Sequence, residues 1–273
     1  SAINHWGWRV TIIALSIIGC FLALLVWSIV RDSPETVTQG HKFQSPPKKS
    51  ELKRLQQVCR NRQTWLIALY SFAIWAPITA FAALWGIPFL VASYGLTTEA
   101  ASIASAMIWL GIGLGSPLMG WYSDKIGSRS KPLSLSALLR IISLTIIIYA
   151  PPLSLPWLYF TLFTFGLAAS GQSLAFGVVK DNNTSCVVGT AIGFNNMAVV
   201  AGGALFQPLI GILLYVNWSG VTHNGTPFYG IVDYQKAFFV LPLCYVLALL
   251  VSQFLLRETY CKSQYSNESA SAI

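Results

Sequence analysis

Charge is what this chain has least of. Only 10% of its 273 residues are Asp, Glu, Lys or Arg, and the acids among them number nine. A soluble domain carries about a quarter, so a water-facing globule is a poor fit for a composition that is 55% hydrophobic. Histidines number three, and no Asp, Glu or His lies well inside any apolar run. That excludes a proton-carrying side chain within these runs; a proton-coupled carrier would keep its titratable group elsewhere. There is no His/Cys/Asp/Glu cluster with metal-ligand spacing, no Ser/His/Asp set and no phosphate-binding loop. The glycines of 111–120 follow no strand, so they are not a nucleotide fingerprint. We therefore expect no enzyme, cofactor or metal.

The apolar residues come in runs. Residues 11–30, 63–98, 100–123, 141–179 and 237–256 are each free of charge over 20, 36, 24, 39 and 20 positions. A bilayer core takes about 20 apolar residues per helix. The fold class expected is all-α, a polytopic membrane helix bundle with seven spans near 9–30, 64–93, 99–120, 133–150, 157–178, 188–215 and 236–257. Pro151, Pro152 and Pro156 divide the longest run. Gly95 to Glu99 divides the second span from the third, with Thr97 or Thr98 as N-cap.

Bases are unevenly spread. The net charge of +8 suits a nucleic-acid partner, but eight of the 17 Lys and Arg fall in 31–62, between two spans. The connections 31–63, 120–132 and 180–187 and the tail from Arg257 hold fourteen; the opposite side holds only Arg9 and Lys236. By the positive-inside rule the chain starts outside and ends in the cytoplasm, which argues for a lipid bilayer and against nucleic acid. Cys20 and Cys244 lie in spans and Cys59, Cys186 and Cys261 on the basic side, so no structural disulfide is expected. The chain opens on Ser1 without Met and runs straight into a span too long for a signal h-region. We read it as a fragment lacking its upstream part.

One connection stands out. Gly120-Trp-Tyr-Ser-Asp124-Lys125-Ile-Gly127-Ser-Arg129-Ser-Lys131 puts four charges between long apolar runs. A glycine lets helix ends approach. An acid suits the positive end of a helix. Bases anchor at anionic headgroups, worth about 1 kcal/mol each. The spacing resembles the cytoplasmic signature of the major facilitator superfamily, except that Ser130 stands at one basic position and Lys131 follows one late. Other pieces agree in order: His5-Trp-Gly-Trp-Arg9 and Arg31-Asp-Ser-Pro34 flank the first span, and Gly189 to Gln207-Pro208 resembles the family's helix 11.

The resemblance covers nearly the whole chain. It implies residues 1–30 as family helix 6, 31–62 as the basic central loop, 63–257 as the C-terminal six-helix bundle and 258–273 as a cytoplasmic tail. It would make these seven spans part of a twelve-helix fold lacking helices 1–5. It also implies that Gly120, Asp124, Lys125, Gly127, Arg129 and Lys131 work as a conformational latch; a merely topological basic turn is the plainer reading.

The family lines its cavity with helices that the resemblance places at 64–93 and 157–178. Substrate-cavity candidates are therefore Tyr70, Ser71, Trp75 and Thr79 on one span and Thr161 and Gln172 on the other. Asn195, Asn196 and Gln207 join them from the next span. For the first face an aromatic packing stripe is the alternative, and for Gln172 interhelical glue. Gly166, Ser170, Ser173 and Gly177 form a separate small-residue packing face, and Gly111, Gly113, Gly115 and Gly120 suit either packing or a hinge. Arg140, about nine residues into its span, is an anion contact, a structurally paired base or a side chain that snorkels to the surface.

Two functions remain open at this point. One is a secondary active transporter, symporter or antiporter, moving a small-molecule substrate by alternating access in a bacterial inner membrane, with a coupling proton or other ion as a further partner. The other is a seven-helix receptor or sensor.

Overall fold

The computed structural model describes residues 2–30, 51–223 and 225–264. The expected loop residues 31–50 and tail residues 265–273 lie outside these. The chain divides into two compact units, Ser1–Lys49 and Ser50–Ile273. The first holds one helix, α1 (Ala2–Ile29), turned at Gly7 where φ is 74°. From Val10 on its residues are apolar apart from Thr11, Ser16 and Ser28, whose hydroxyls bond back to the helix's own carbonyls, as suits a membrane span.

The second unit begins with α2 (Glu51–Arg60), short and amphipathic, with Glu51 in its first turn and Arg60 in its last. Asn61 ends it and caps the next helix, its side chain accepting from the Gln63 N–H at 3.0 Å. Six long apolar helices follow: α3 (Arg62–Tyr94), α4 (Thr98–Ile126), α5 (Ser130–Tyr149), α6 (Leu155–Asp181), α7 (Ser185–Val216) and α8 (Ile231–Leu255). With α1, seven helices among the described residues are long and apolar enough to cross a membrane. The molecule is an all-α, multi-pass membrane bundle. A two-residue hairpin pairs Thr222 with Pro227 and His223 with Thr226 before α8.

The expected breaks hold, with three differences. Gly95 (φ 62°) ends α3 and Thr97 caps α4, accepting from the Ala100 N–H at 3.2 Å. However, α4 does not stop at Gly120. Residues 121–126 contain no helix breaker, so the helix runs on to Gly127, whose left-handed φ of 62° ends it. The connection is therefore only Gly127–Arg129. Likewise α8 starts at Ile231 rather than 236, with the Asp233 carboxylate accepting from the Gly230 N–H at 2.9 Å. Finally, α3 is interrupted: Pro77 lies inside it and Phe81–Trp85 is a π turn.

Small residues set the packing. A Cβ on Gly166 would fall 2.0 Å from the Ile108 carbonyl, and one on Gly111 2.3 Å from that of Phe163, so α4 and α6 touch backbone to backbone. Gly115 meets Ser170 in the same seam. Gly202 and Gly203 admit Ala76 and Thr79 where α7 crosses α3, and Gly171 admits Ser136 of α5. Gly113 and Gly120 meet nothing within 4 Å; Gly120 does not make the close helix approach expected of it. Phe81, Phe89, Phe165, Tyr234, Phe238 and Tyr245 fill the space between α3, α6 and α8 with tilted or edge-on ring contacts.

Candidate functional site

At the basic end of the six-helix unit, one guanidinium ties together several helix ends. Arg129 Nε donates to Asp181 Oδ2 at 3.1 Å, and its Nη1 donates to Asp124 Oδ1 at 3.0 Å and Ser123 Oγ at 3.1 Å. The Arg129 and Asp181 side chains are 15% and 10% exposed, whereas Asp124 is 67% exposed. The inner pair is therefore the stronger link and the outer one is screened. Burial works against the Arg129 charge, but the hydrogen bond and charge of Asp181, with Asp124, more than offset it and hold the guanidinium protonated.

The chain beyond α8 closes this end. Glu258 accepts from the backbone N–H groups of Arg129 (2.8 Å) and Ser130 (3.0 Å) and from Ser128 Oγ (2.5 Å). It thus sits at the positive end of α5. Burial alone would raise its carboxyl, but these donors and the Tyr260 N–H pull it down to about 2. Thr259 Oγ1 donates to Asp181 Oδ2 at 3.0 Å, and the Gln264 N–H to the Asp181 carbonyl at 2.9 Å. On the other flank, Asn61 Nδ2 reaches the Asn182 carbonyl at 2.7 Å and Thr64 Oγ1 reaches Asn183 Oδ1 at 3.2 Å. The starts of α3 and α5 and the ends of α4, α6 and α8 are all joined here.

At the charged turn the carboxylate that meets the N-terminus of α5 is Glu258, where Asp124 was expected. Arg129 points inward to acids and not out to headgroups. Lys125 Nζ lies 4.8 Å from the Trp121 ring centroid, a cation–π contact. The Lys131 N–H donates to Ser128 Oγ at 3.4 Å, while its side chain is exposed.

The cavity candidates separate into two sets. Four are committed to backbone. Tyr70 Oη donates to the Leu133 carbonyl (3.1 Å), Thr79 Oγ1 to that of Ala76 (2.9 Å) and Thr161 Oγ1 to that of Trp157 (2.8 Å). Gln207 Nε2 donates to the Thr79 carbonyl (3.0 Å), and Trp85 Nε1 returns a bond to the Gln207 carbonyl (3.1 Å). The Tyr70 and Gln207 bonds hold the interrupted α3 to its neighbours, whereas those of Thr79 and Thr161 stay within their own helices.

Ser71, Gln172 and Asn195 behave differently. All are buried, and among the described residues neither the Ser71 hydroxyl nor either amide has a hydrogen-bond partner. A Cβ on Gly171 would lie 3.9 Å from Tyr70 Oη, so Ser71 on α3 and Gln172 on α6 stand at one depth. Asn195 follows Phe194, whose ring packs edge-on to Trp65 of α3 at 4.9 Å. Trp75 is half-buried beside the core, and Asn196 is exposed. Arg140 does not snorkel: it is fully buried and donates to the Ile74 carbonyl. Gly166, Ser170 and Ser173 make the α4 contacts expected of a packing face, and a Cβ on Gly177 would lie 3.9 Å from the Arg129 guanidinium carbon.

A model of the Major Facilitator Superfamily matches residues 1–206 and, in an overlapping second match, 78–271. The chain belongs to the major facilitator superfamily. It is also similar to a curated protein, "Uncharacterized MFS-type transporter YcxA" of Bacillus subtilis (strain 168), at 31% identity over 116 residues. Those residues are 38% of this chain and 28% of that protein, so the chain covers well under two thirds of that relative's length. Seven spans in 273 residues fit part of a twelve-helix facilitator fold.

Reading this facilitator from sequence missed Asp181, Glu258, Ser128 and Thr259. Their signal was faint but present. Lys180-Asp-Asn-Asn183 and Arg257-Glu-Thr259 are short polar clusters at the ends of apolar runs, on the same side as the charged turn.

Proposed function

We propose that the chain is the C-terminal part of a secondary transporter that moves a small solute by alternating access. In this reading α1 is family helix 6, residues 31–62 the central loop, residues 63–257 the second six-helix half and residues 258–273 the tail. Fourteen bases against two support a cytoplasmic position for the charged end and the tail. The membrane is a bacterial plasma membrane.

The observation that carries the proposal is the tie at the charged end, in a chain of a family whose curated relative is called a transporter. Asp124, Arg129, Asp181 and Glu258 join helix ends through a few directional bonds. Such bonds form in one arrangement of packed helices and are lost when those helices shift, which is what a latch between two states needs. Gly127 turns the chain between Asp124 and Arg129, and Gly120, Lys125 and Lys131 flank it as the further latch candidates. Ser71, Trp75 and Gln172, with Asn195, are the proposed solute wall, because their polar atoms are not committed to backbone. Tyr70 and Gln207 tie α3 to its neighbours, and Thr79 and Thr161 bond back to their own helices. Family membership favours transport over catalysis and over the receptor reading.

The test is uptake into proteoliposomes by the full-length protein, across a panel of sugars, amino acids and organic anions, with and without a proton gradient. Uptake of at least one class that falls several-fold in Asp124→Asn, with expression nearly intact, supports the proposal. A protein that binds a solute yet never moves it overturns it in favour of a receptor.

A further inference from the structure

A cleft of about 400 Å³ opens at the end of the six-helix unit away from the charged turn. That volume is within the range of small-molecule sites. Four aromatic rings line it: Trp85 of α3, Phe228 and Tyr229 from the connection that follows the hairpin, and Tyr234 of α8. Tyr234 is 3% exposed and forms the floor, held by the rings of Phe89 at 5.7 Å and Phe238 at 5.5 Å. Tyr229 stands nearly at right angles to it, at 77° with centroids 6.3 Å apart. Trp85 is fixed by the bond from its indole N–H to the Gln207 carbonyl. Phe228 is 46% exposed at the mouth, and its N–H donates to the Val221 carbonyl at 2.9 Å.

The charge around these rings has one sign. Among the described residues no Lys or Arg lines the cleft. Asp233 adjoins Tyr234 in the chain and is buried, and Glu99 adjoins Thr98 on the α4 wall. The Asp233 carboxylate accepts from the Gly230 N–H at 2.9 Å and from Ser219 Oγ at 3.3 Å, both neutral donors, and forms no ion pair among the described residues. Its negative charge is therefore hydrogen-bonded but not cancelled. Lys236 is two residues beyond Tyr234, about 200° round the helix, and is exposed where Tyr234 is buried. Ring faces are themselves electron-rich. An anion would be repelled here. A compact cation with apolar substituents would meet ring faces on several sides and a carboxylate behind them.

We propose that this cleft binds a small organic cation carrying a methylated ammonium group, seated against Tyr234 between Trp85, Phe228 and Tyr229. The group is either a free solute or the headgroup of a choline lipid, since both present the same chemistry. The site is separate from the Ser71–Gln172 wall and stands whether or not the chain transports anything.

The test is ligand-observed saturation-transfer NMR on the full-length protein in maltoside micelles at constant ionic strength. Choline is compared with 3,3-dimethyl-1-butanol, its uncharged isostere. Choline should bind at least ten-fold more tightly, because the isostere fills the same space without the charge. Phe228→Ala and Tyr229→Ala, both in the connection outside the helices, should each weaken choline several-fold. Displacement of choline by added phosphatidylcholine, but not by phosphatidylglycerol, assigns the site to a lipid headgroup; retention of choline against both assigns it to a free cation. Equal affinity for choline and the isostere overturns the proposal and leaves an apolar cleft. So does the absence of any choline signal from the unsubstituted protein, or choline binding that is unchanged in both variants.

Discussion

Arg129 and Arg140 stand eleven residues apart, one just ahead of α5 and the other three turns into it. Arg129 meets two carboxylates, a serine hydroxyl and the tail that folds over them. Arg140 meets one carbonyl and the face of a tyrosine. The same contrast holds for the regions around them. At the charged end, polar groups from α3, α4, α5, α6 and the tail pair with one another; in the middle of the bundle, Ser71, Gln172 and Asn195 are buried without partners. The first region is held by directional pairing, which is strong in one geometry and lost in another. The second is held by close packing through glycine, and its polar groups add little to stability. A conformational tie belongs in the first kind of region and a contact for something that comes and goes in the second.

The largest expected effect comes from breaking the pairing. Arg129→Ala leaves Asp181 largely buried with only the Thr259 hydroxyl on its carboxylate. Removing one partner of a buried pair costs about 3–5 kcal/mol. The unfolding midpoint of the purified protein should fall by on the order of 10 °C. Arg129→Lys keeps the charge but not the fork, and should lose less. A midpoint within a degree or two of the parent would show that the charged end is not what holds these helix ends.

The middle should fail in the opposite way, when atoms are added. A Cβ on Gly166 would meet the Ile108 carbonyl, a backbone atom that cannot turn aside. Gly166→Ala should therefore destabilise by about 2–3 kcal/mol, the upper part of the usual range for overpacking. Gly113→Ala, on the facing helix α4 but in open space, should be nearly silent. Equal effects at the two glycines would undo the assignment of that seam.

Much of this was legible in the sequence, and the boundary is physical. Runs of uncharged residues report spans directly, because hydrocarbon tolerates little else. Gly95 and Thr97 were readable as punctuation because each does a local job, a left-handed turn and an N-cap. The end of α4 was misplaced because Gly120 resembles a stop while six helix-compatible residues follow it. The roles of Asp181 and Glu258 were not legible. Each is an unremarkable acid at the end of a span, and only the fold brings residues 52 and 129 positions away from Arg129 onto it. Gln207 misled for the reverse reason. An amide inside a span reads as a ligand contact, yet the π turn of α3 frees backbone groups nearby that it helps to hold.

Glu258 tests the charged end more gently. Glu258→Gln keeps its shape but loses the charge at the start of α5, and should cost about 1 kcal/mol, the scale of an N-cap. The sign with pH is fixed by the direction of the shift. The folded carboxyl lies near 2, below its ordinary 4.5, so its contribution is complete above the ordinary value and is lost as pH falls towards 2. The midpoint difference between parent and variant should be flat from neutral pH to about 5, then shrink as the solution is acidified. A difference that grew with acidification would mean that the carboxylate is not the form that binds α5.

The smallest effect on stability is expected at Gln172, and there the smallness is informative. Its amide is buried, and neither end of it is paired. A buried amide without partners is a liability, so replacing it with an apolar group of similar size should be neutral or slightly stabilising, within about 1 kcal/mol. Gln172→Leu should therefore leave abundance and unfolding midpoint nearly unchanged. If Gln172 is part of the solute wall, the same variant should raise the apparent KM for the transported solute several-fold with less change in kcat, because a binding contact has gone while the moving parts remain. Ser71→Ala, at the same depth on α3, should act in the same direction. A clear loss of stability in Gln172→Leu with unchanged KM would make Gln172 a helix-to-helix contact instead, and would return the middle of the bundle to packing alone.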